Sequence, residues 1–159
     1  LLVTVRILRA FATAALCAAV ASACSAPAQE AAAPDAPPPP TDVHRDIPGL
    51  AKVFPGIGAP ESVAWLQWGD PAGGDAAVRW TDAVVRLSPA VADAMVTQFR
   101  PTDTGRAPKV QDALSPEVPP GPFLTGELLD SGFSSDSTST YAFLNRAEAT
   151  LVLQATSLD

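Results

Sequence analysis

The sequence predicts a small α+β domain, a mostly antiparallel sheet of about four strands with one packed helix, behind an apolar leader and a proline-rich tether. Three observations carry that prediction. Two stretches of alternating parity, 62–68 and 77–87, flank a turn rich in Gly and Asp. A Ser88-Pro89 pair then opens a run with helical spacing that stops at Arg100-Pro101. A second pair of alternating stretches, 138–144 and 150–155, surrounds the turn Asn145-Arg146-Ala147-Glu148.

The leader comes first. Arg6 and Arg9 form a short cationic start, and no charge follows between Ala10 and Ala21. That apolar run is too short to cross a ~30 Å hydrocarbon core comfortably. A basic start, a short apolar middle and small residues at the end describe an export signal over residues 1–23.

The small residues at its end carry a specific resemblance. Ala21-Ser22-Ala23-Cys24 resembles the lipobox of bacterial lipoproteins. The resemblance implies a diacylglyceryl thioether on the Cys24 sulfur and cleavage between Ala23 and Cys24. Ala21 stands where that family most often has Leu, and Cys17 follows Leu16 and would cut the apolar run short. Ala21-x-Ala23 also satisfies the rule for ordinary signal cleavage, which would leave Cys24 as a free thiol in an exported chain. Two acyl chains, at ~0.8 kcal/mol per buried CH₂, would hold the protein on the extracytoplasmic face of the cell membrane with no further membrane element.

Residues 24–46 read as the tether, with Pro27, Pro34 and the run Pro37 to Pro40. Proline fixes φ and removes donors, and the run favours polyproline II at ~3.1 Å per residue. His44, the one histidine of the chain, falls at its end.

Residues 47–159 read as a single small domain with one core. The segment 47–58 mixes apolar residues with Pro48, Gly49, Pro55, Gly56 and Gly58 and is expected to be irregular, with a helical turn near Leu50 to Phe54. In the first strand Ser62, Ala64, Leu66 and Trp68 share one parity, Val63 and Trp65 the other. In the second, Thr81, Ala83, Val85 and Leu87 oppose Asp82, Val84 and Arg86. The helix opens with Ser88 as N-cap and Pro89 at N1, and Val91, Ala94, Met95 and Phe99 are expected to form its apolar face. Segment 102–123 carries Pro108, Pro116, Pro119, Pro120 and Pro122 and is expected to be a long loop, of the kind that is functional or mobile. The order of these elements is loosely similar to small lipoproteins of actinobacteria.

The chain has a net charge of −7, and the leader contributes arginines but no acid. Nucleic acid is therefore not an expected partner, since phosphate binding needs clustered Lys and Arg. Past Cys24 there is no cysteine, and the lone imidazole lies in the tether, so no zinc, haem or thiol site and no cofactor is expected. Asp70 with Asp75, and Asp130 with Asp136, lack the Asp-x-Asp-x-Asp-Gly spacing of a Ca²⁺ loop and read as turn acids.

Trp65, Trp68 and Trp80 lie close across the first hairpin, and Trp65 and Trp68 have opposite parity. Core packing explains such residues; an aromatic surface for a sugar, an apolar ligand or a partner protein is the functional reading. The sequence thus points to a membrane-anchored envelope lipoprotein whose domain binds rather than catalyses. Its expected partners are the membrane, through a lipid on Cys24, and an envelope protein or glycan. The alternative is an exported carrier, or a carboxylate-based hydrolase of a wall polymer.

Overall fold

A computed structural model describes residues 42–69 and 77–158. The leader, Ala23, Cys24, most of the tether, and the turn with Asp70 and Asp75 lie outside the described residues.

Three helices, α1 Ile47–Val53, α2 Pro89–Phe99 and α3 Glu127–Gly132, accompany six strands. The strands are β1 Ser62–Gly69, β2 Val78–Arg86, β3 Thr102–Asp103, β4 Leu124–Thr125, β5 Thr138–Asn145 and β6 Thr150–Leu158. They form one antiparallel sheet in the order β1-β2-β6-β5-β4-β3. The α+β class with one antiparallel sheet therefore holds. The expected count of about four strands is corrected to six, and the one expected helix to three.

The four expected strands are the long ones. The two additions, β3 and β4, have two residues each and pair Thr102 with Thr125 and Asp103 with Leu124. Such short segments have no periodicity to read. Helix α1 starts where a tether was expected to end. Asp46 caps it, its carboxylate accepting the Gly49 amide proton at 2.9 Å, and Pro48 occupies the first turn. Just before it, His44 and Trp65 exchange both backbone hydrogen bonds at 2.9 Å, a single bridge to the sheet edge.

Both faces of the sheet are covered. On the first, the three helices enclose Leu50, Phe54, Trp65, Val85, Met95, Leu129, Leu144, Leu151 and Leu153. Helix α2 meets this face through Ala92 and Met95, with Val96 and Phe99 partly buried, whereas Val91 is 38% exposed. Of the expected apolar face, Met95 and Phe99 pack inward, while Val91 and Ala94 are exposed and Ala92 and Val96 take their place.

Among the described residues, the second face carries no helix longer than a 3-10 turn. Residues 104–123 leave β3 at one edge, run over the sheet to β1 and return to β4. This strap buries Leu114, in the turn Asp112–Glu117, against Ala64 and Leu66. It also buries Phe123 against Val84, Phe143 and Val152. The proline-rich segment is therefore a packed layer. The need for it is visible in β2 and β6, where Val84 and Val85, and Leu151, Val152 and Leu153, are all buried. Consecutive apolar residues point to both faces of a strand, so both faces must be shielded.

Candidate functional site

Cross-strand pairing sets which side chains share the strap-covered face. Trp68 pairs with Trp80, Leu66 with Asp82, Asp82 with Gln154, and Gln154 with Tyr141. The strap covers this face only at the end nearer Arg86. At the other end it leaves a cleft of about 230 Å³, lined by Trp68, Trp80, Asp82, Lys109, Gln111 and Tyr141, together with Gln154, Ala155 and Thr156.

Of the three tryptophans, the structure brings two together. The Trp68 and Trp80 rings are near-parallel, 22° apart in plane with centroids 6.4 Å apart. Trp68 packs on the Ala64–Leu66–Leu114 cluster, and Trp80 is 38% exposed. The pair is thus an indole platform braced from below. Trp65 points to the helix-covered face, is 8% exposed, and donates its indole N–H to the Asp46 carbonyl at 3.3 Å. Its opposite parity places it in the core, away from the cleft.

The polar floor of the cleft is a clamp. Asp82 is only 4% exposed, and its two carboxylate oxygens accept from the Gln111 backbone N–H at 2.8 Å and from Gln154 Nε2 at 3.3 Å. Gln154 also donates to the Lys109 carbonyl at 2.8 Å and accepts the Lys109 amide proton at 3.3 Å. One amide side chain therefore pairs with the strap as another strand would. Burial pushes the Asp82 carboxyl above its ordinary value, and the bonds from Gln111 and Gln154 oppose that rise. Further along, Arg86 reaches the Glu117 carbonyl at 3.2 Å and Asn145 Nδ2 the Pro120 carbonyl at 2.7 Å. These bonds fix the strap, and with it the wall of the cleft.

At the rim, the Arg106 guanidinium lies over the Tyr141 ring, 5.4 Å from its centroid, and over Phe143 at 5.6 Å. Tyr141 is 55% exposed. Lys109 is exposed beside the platform.

A second groove, about 480 Å³, lies between the start of α2 and the β5–β6 turn, lined by Pro89, Asp93, Pro122, Leu124, Asn145 and Arg146, with Ala147. Its charges satisfy each other, Arg146 Nε to Asp93 at 2.6 Å, and Asn145 is spent on Pro120 and Glu148. The smaller cleft is the stronger site because its exposed aromatic and polar groups converge.

The remaining sequence candidates are placed as follows. His44 is exposed and sits 4.7 Å from the Trp65 ring, centroid to centroid. Asp130 accepts the Ala142 amide proton at 2.8 Å, which ties α3 to β5, while Asp136 is exposed. Among the described residues no group of three or more His, Cys, Asp or Glu has the arrangement of a metal site. Ala23 and Cys24 lie outside the described residues. Sequence reasoning missed Asp82, Lys109, Gln111, Tyr141 and Gln154 as cleft residues. Asp82 and Gln154 did carry a signal, each being a polar residue inside an apolar strand. No family model, curated protein or solved structure matches the chain.

Proposed function

We propose that the chain is a membrane-anchored envelope lipoprotein whose domain is a non-enzymatic binding module, with the Trp68–Trp80 cleft as its ligand surface. The observation that carries the binding reading is the exposed Trp80 ring stacked on a braced Trp68 at the mouth of a polar cleft. Large aromatic rings held rigid and partly in water are the residues on which binding energy concentrates. The anchoring rests on Ala21-Ser22-Ala23-Cys24 and on the proline-rich segment behind it.

The same cleft bears on the hydrolase alternative. Glycoside hydrolysis uses two carboxyl groups flanking the bond. Asp82 has both oxygens engaged by Gln111 and Gln154, which suits a structural clamp better than a catalytic acid or base.

Two measurements test the proposal. The full chain and Cys24→Ala are expressed in a bacterium and compared by membrane fractionation and intact mass. The expected result is a membrane-bound, mass-shifted protein that the variant releases; an unmodified Cys24 in the medium overturns the anchor. For the binding module, Trp80→Ala is expected to abolish ligand-induced changes in tryptophan emission. Turnover of a wall polymer, abolished by Asp82→Asn, overturns the non-enzymatic reading.

A further inference from the structure

Charge around the platform narrows the ligand, given that the cleft is the binding surface. The chain carries a net charge of −7, yet the strap places Lys109 in the lining of this cleft and Arg106 over the ring of Tyr141 at its rim. Neither forms an ion pair with an acidic residue among the described residues, whereas Arg45 and Arg146 do, with Glu117 and Asp93. The nearest carboxylate lining the cleft, Asp82, is buried and committed to Gln111 and Gln154. Among the described residues that line the cleft, the accessible charge is therefore that of Lys109.

The shape is equally specific. The exposed Trp80 ring, backed by the near-parallel Trp68, offers a flat apolar surface of the kind the C–H face of a pyranose ring covers. Around them stand the Tyr141 and Thr156 hydroxyls and the Gln111 side chain, all within the cleft lining. These groups donate and accept in short range, as ring hydroxyls require. A flat aromatic hydrocarbon would leave those polar groups unpaired, and a simple anion would leave the indoles uncovered.

We infer that the cleft binds an acidic saccharide, one sugar face stacked on the exposed Trp80 ring that Trp68 backs, with its carboxylate or other anionic substituent toward Lys109 and Arg106. The stacking supplies most of the affinity. The cations select the charged form and make binding salt-dependent.

The test uses the full chain purified in a non-ionic detergent and titrated with tetragalacturonate, with its fully methyl-esterified form, and with an uncharged apolar naphthalene probe, all followed by tryptophan emission. Saturable binding of tetragalacturonate is expected, weakened about threefold to fivefold by esterification or by Lys109→Ala, the range of one exposed charge pair. Trp80→Ala is expected to weaken it at least about tenfold. Esterification is expected to remove the salt dependence. Equal binding of acid and ester overturns the acidic assignment while leaving the cleft as a sugar site. Binding of the apolar probe alone, lost in Trp80→Ala, overturns the saccharide while leaving the binding module. Responses of unchanged affinity in Trp80→Ala, or none to any probe, overturn both.

Discussion

Replacing Asp82 with Ala removes the acceptor that holds the strap at its midpoint. The Gln111 backbone N–H loses its 2.8 Å partner, and Gln154 Nε2 loses its 3.3 Å contact while keeping the 2.8 Å bond to the Lys109 carbonyl. An orphaned, partly buried donor costs about 1–3 kcal/mol. Against that, the variant no longer buries a carboxylate that is 4% exposed, and that relief offsets part of the loss. A net destabilisation of about 1–2 kcal/mol follows, or about 4–8 °C in Tm for a domain of this size. The loss should also be local first. In native-state hydrogen exchange, the Gln111 amide is expected to exchange faster in the variant by about a hundredfold or more, beyond the factor of about 5–30 by which amides of β6 such as Leu153 follow the global loss. An unchanged Gln111 exchange rate, or equal acceleration at Gln111 and Leu153, would refute the idea that this carboxylate latches the strap.

Three further predictions rest on single features. Trp65→Ala is expected to cost about 3–5 kcal/mol in denaturant unfolding, and Trp80→Ala within about 1 kcal/mol, because one indole is core and the other half in water. Because burial raises the folded-state pKa of Asp82, its proton is bound more tightly in the folded than in the unfolded chain. Its contribution is therefore fully present below the ordinary carboxylate value of about 4 and is lost as pH rises through the raised one. Unfolding measured against pH should show the native chain losing stability relative to Asp82→Asn across that window; a gain would contradict the sign. Arg100 ends α2 in the left-handed region at φ 47°, where a Cβ is unfavourable. Arg100→Gly is expected to raise stability by about 0.5–1 kcal/mol despite the greater freedom glycine gives the unfolded chain, and a lower Tm would contradict it.

The long elements of the fold were legible because they repeat. The alternation in 62–68 and 138–144 and the Ser88-Pro89 cap each locate a structural element. The opposite parity of Trp65 and Trp68 puts the two indoles on opposite faces of the sheet, but parity alone does not say which of them is core. Other features were out of reach. The start of α1 is concealed by Pro48 and Gly49, which usually break helices, so only a turn near Leu50 to Phe54 was legible. Here the proline lies in the first turn, and an added methyl at residue 49 would strike the Asp46 carboxylate and the Trp65 ring. The strap is out of reach for a different reason. Its burial comes from widely spaced residues, Val110, Leu114, Val118 and Phe123, and its hydrogen bonds come from side chains distant in sequence. Local pattern carries no record of such long-range pairing. The cleft inherits that difficulty, since Lys109 and Gln111 reach it only because Asp82 and Gln154 hold the strap there.

The three indole N–H resonances of the chain's three tryptophans offer the most direct test that the Trp68–Trp80 cleft is the ligand surface. In a titration of the isotope-labelled full chain with tetragalacturonate, the Trp68 and Trp80 indole signals are predicted to shift together and saturate at one concentration. The Trp65 signal, buried and bonded to the Asp46 carbonyl, is predicted to stay in place. Movement of Trp65 alone, or saturation of the protein with the Trp68 and Trp80 signals unmoved, would contradict the account.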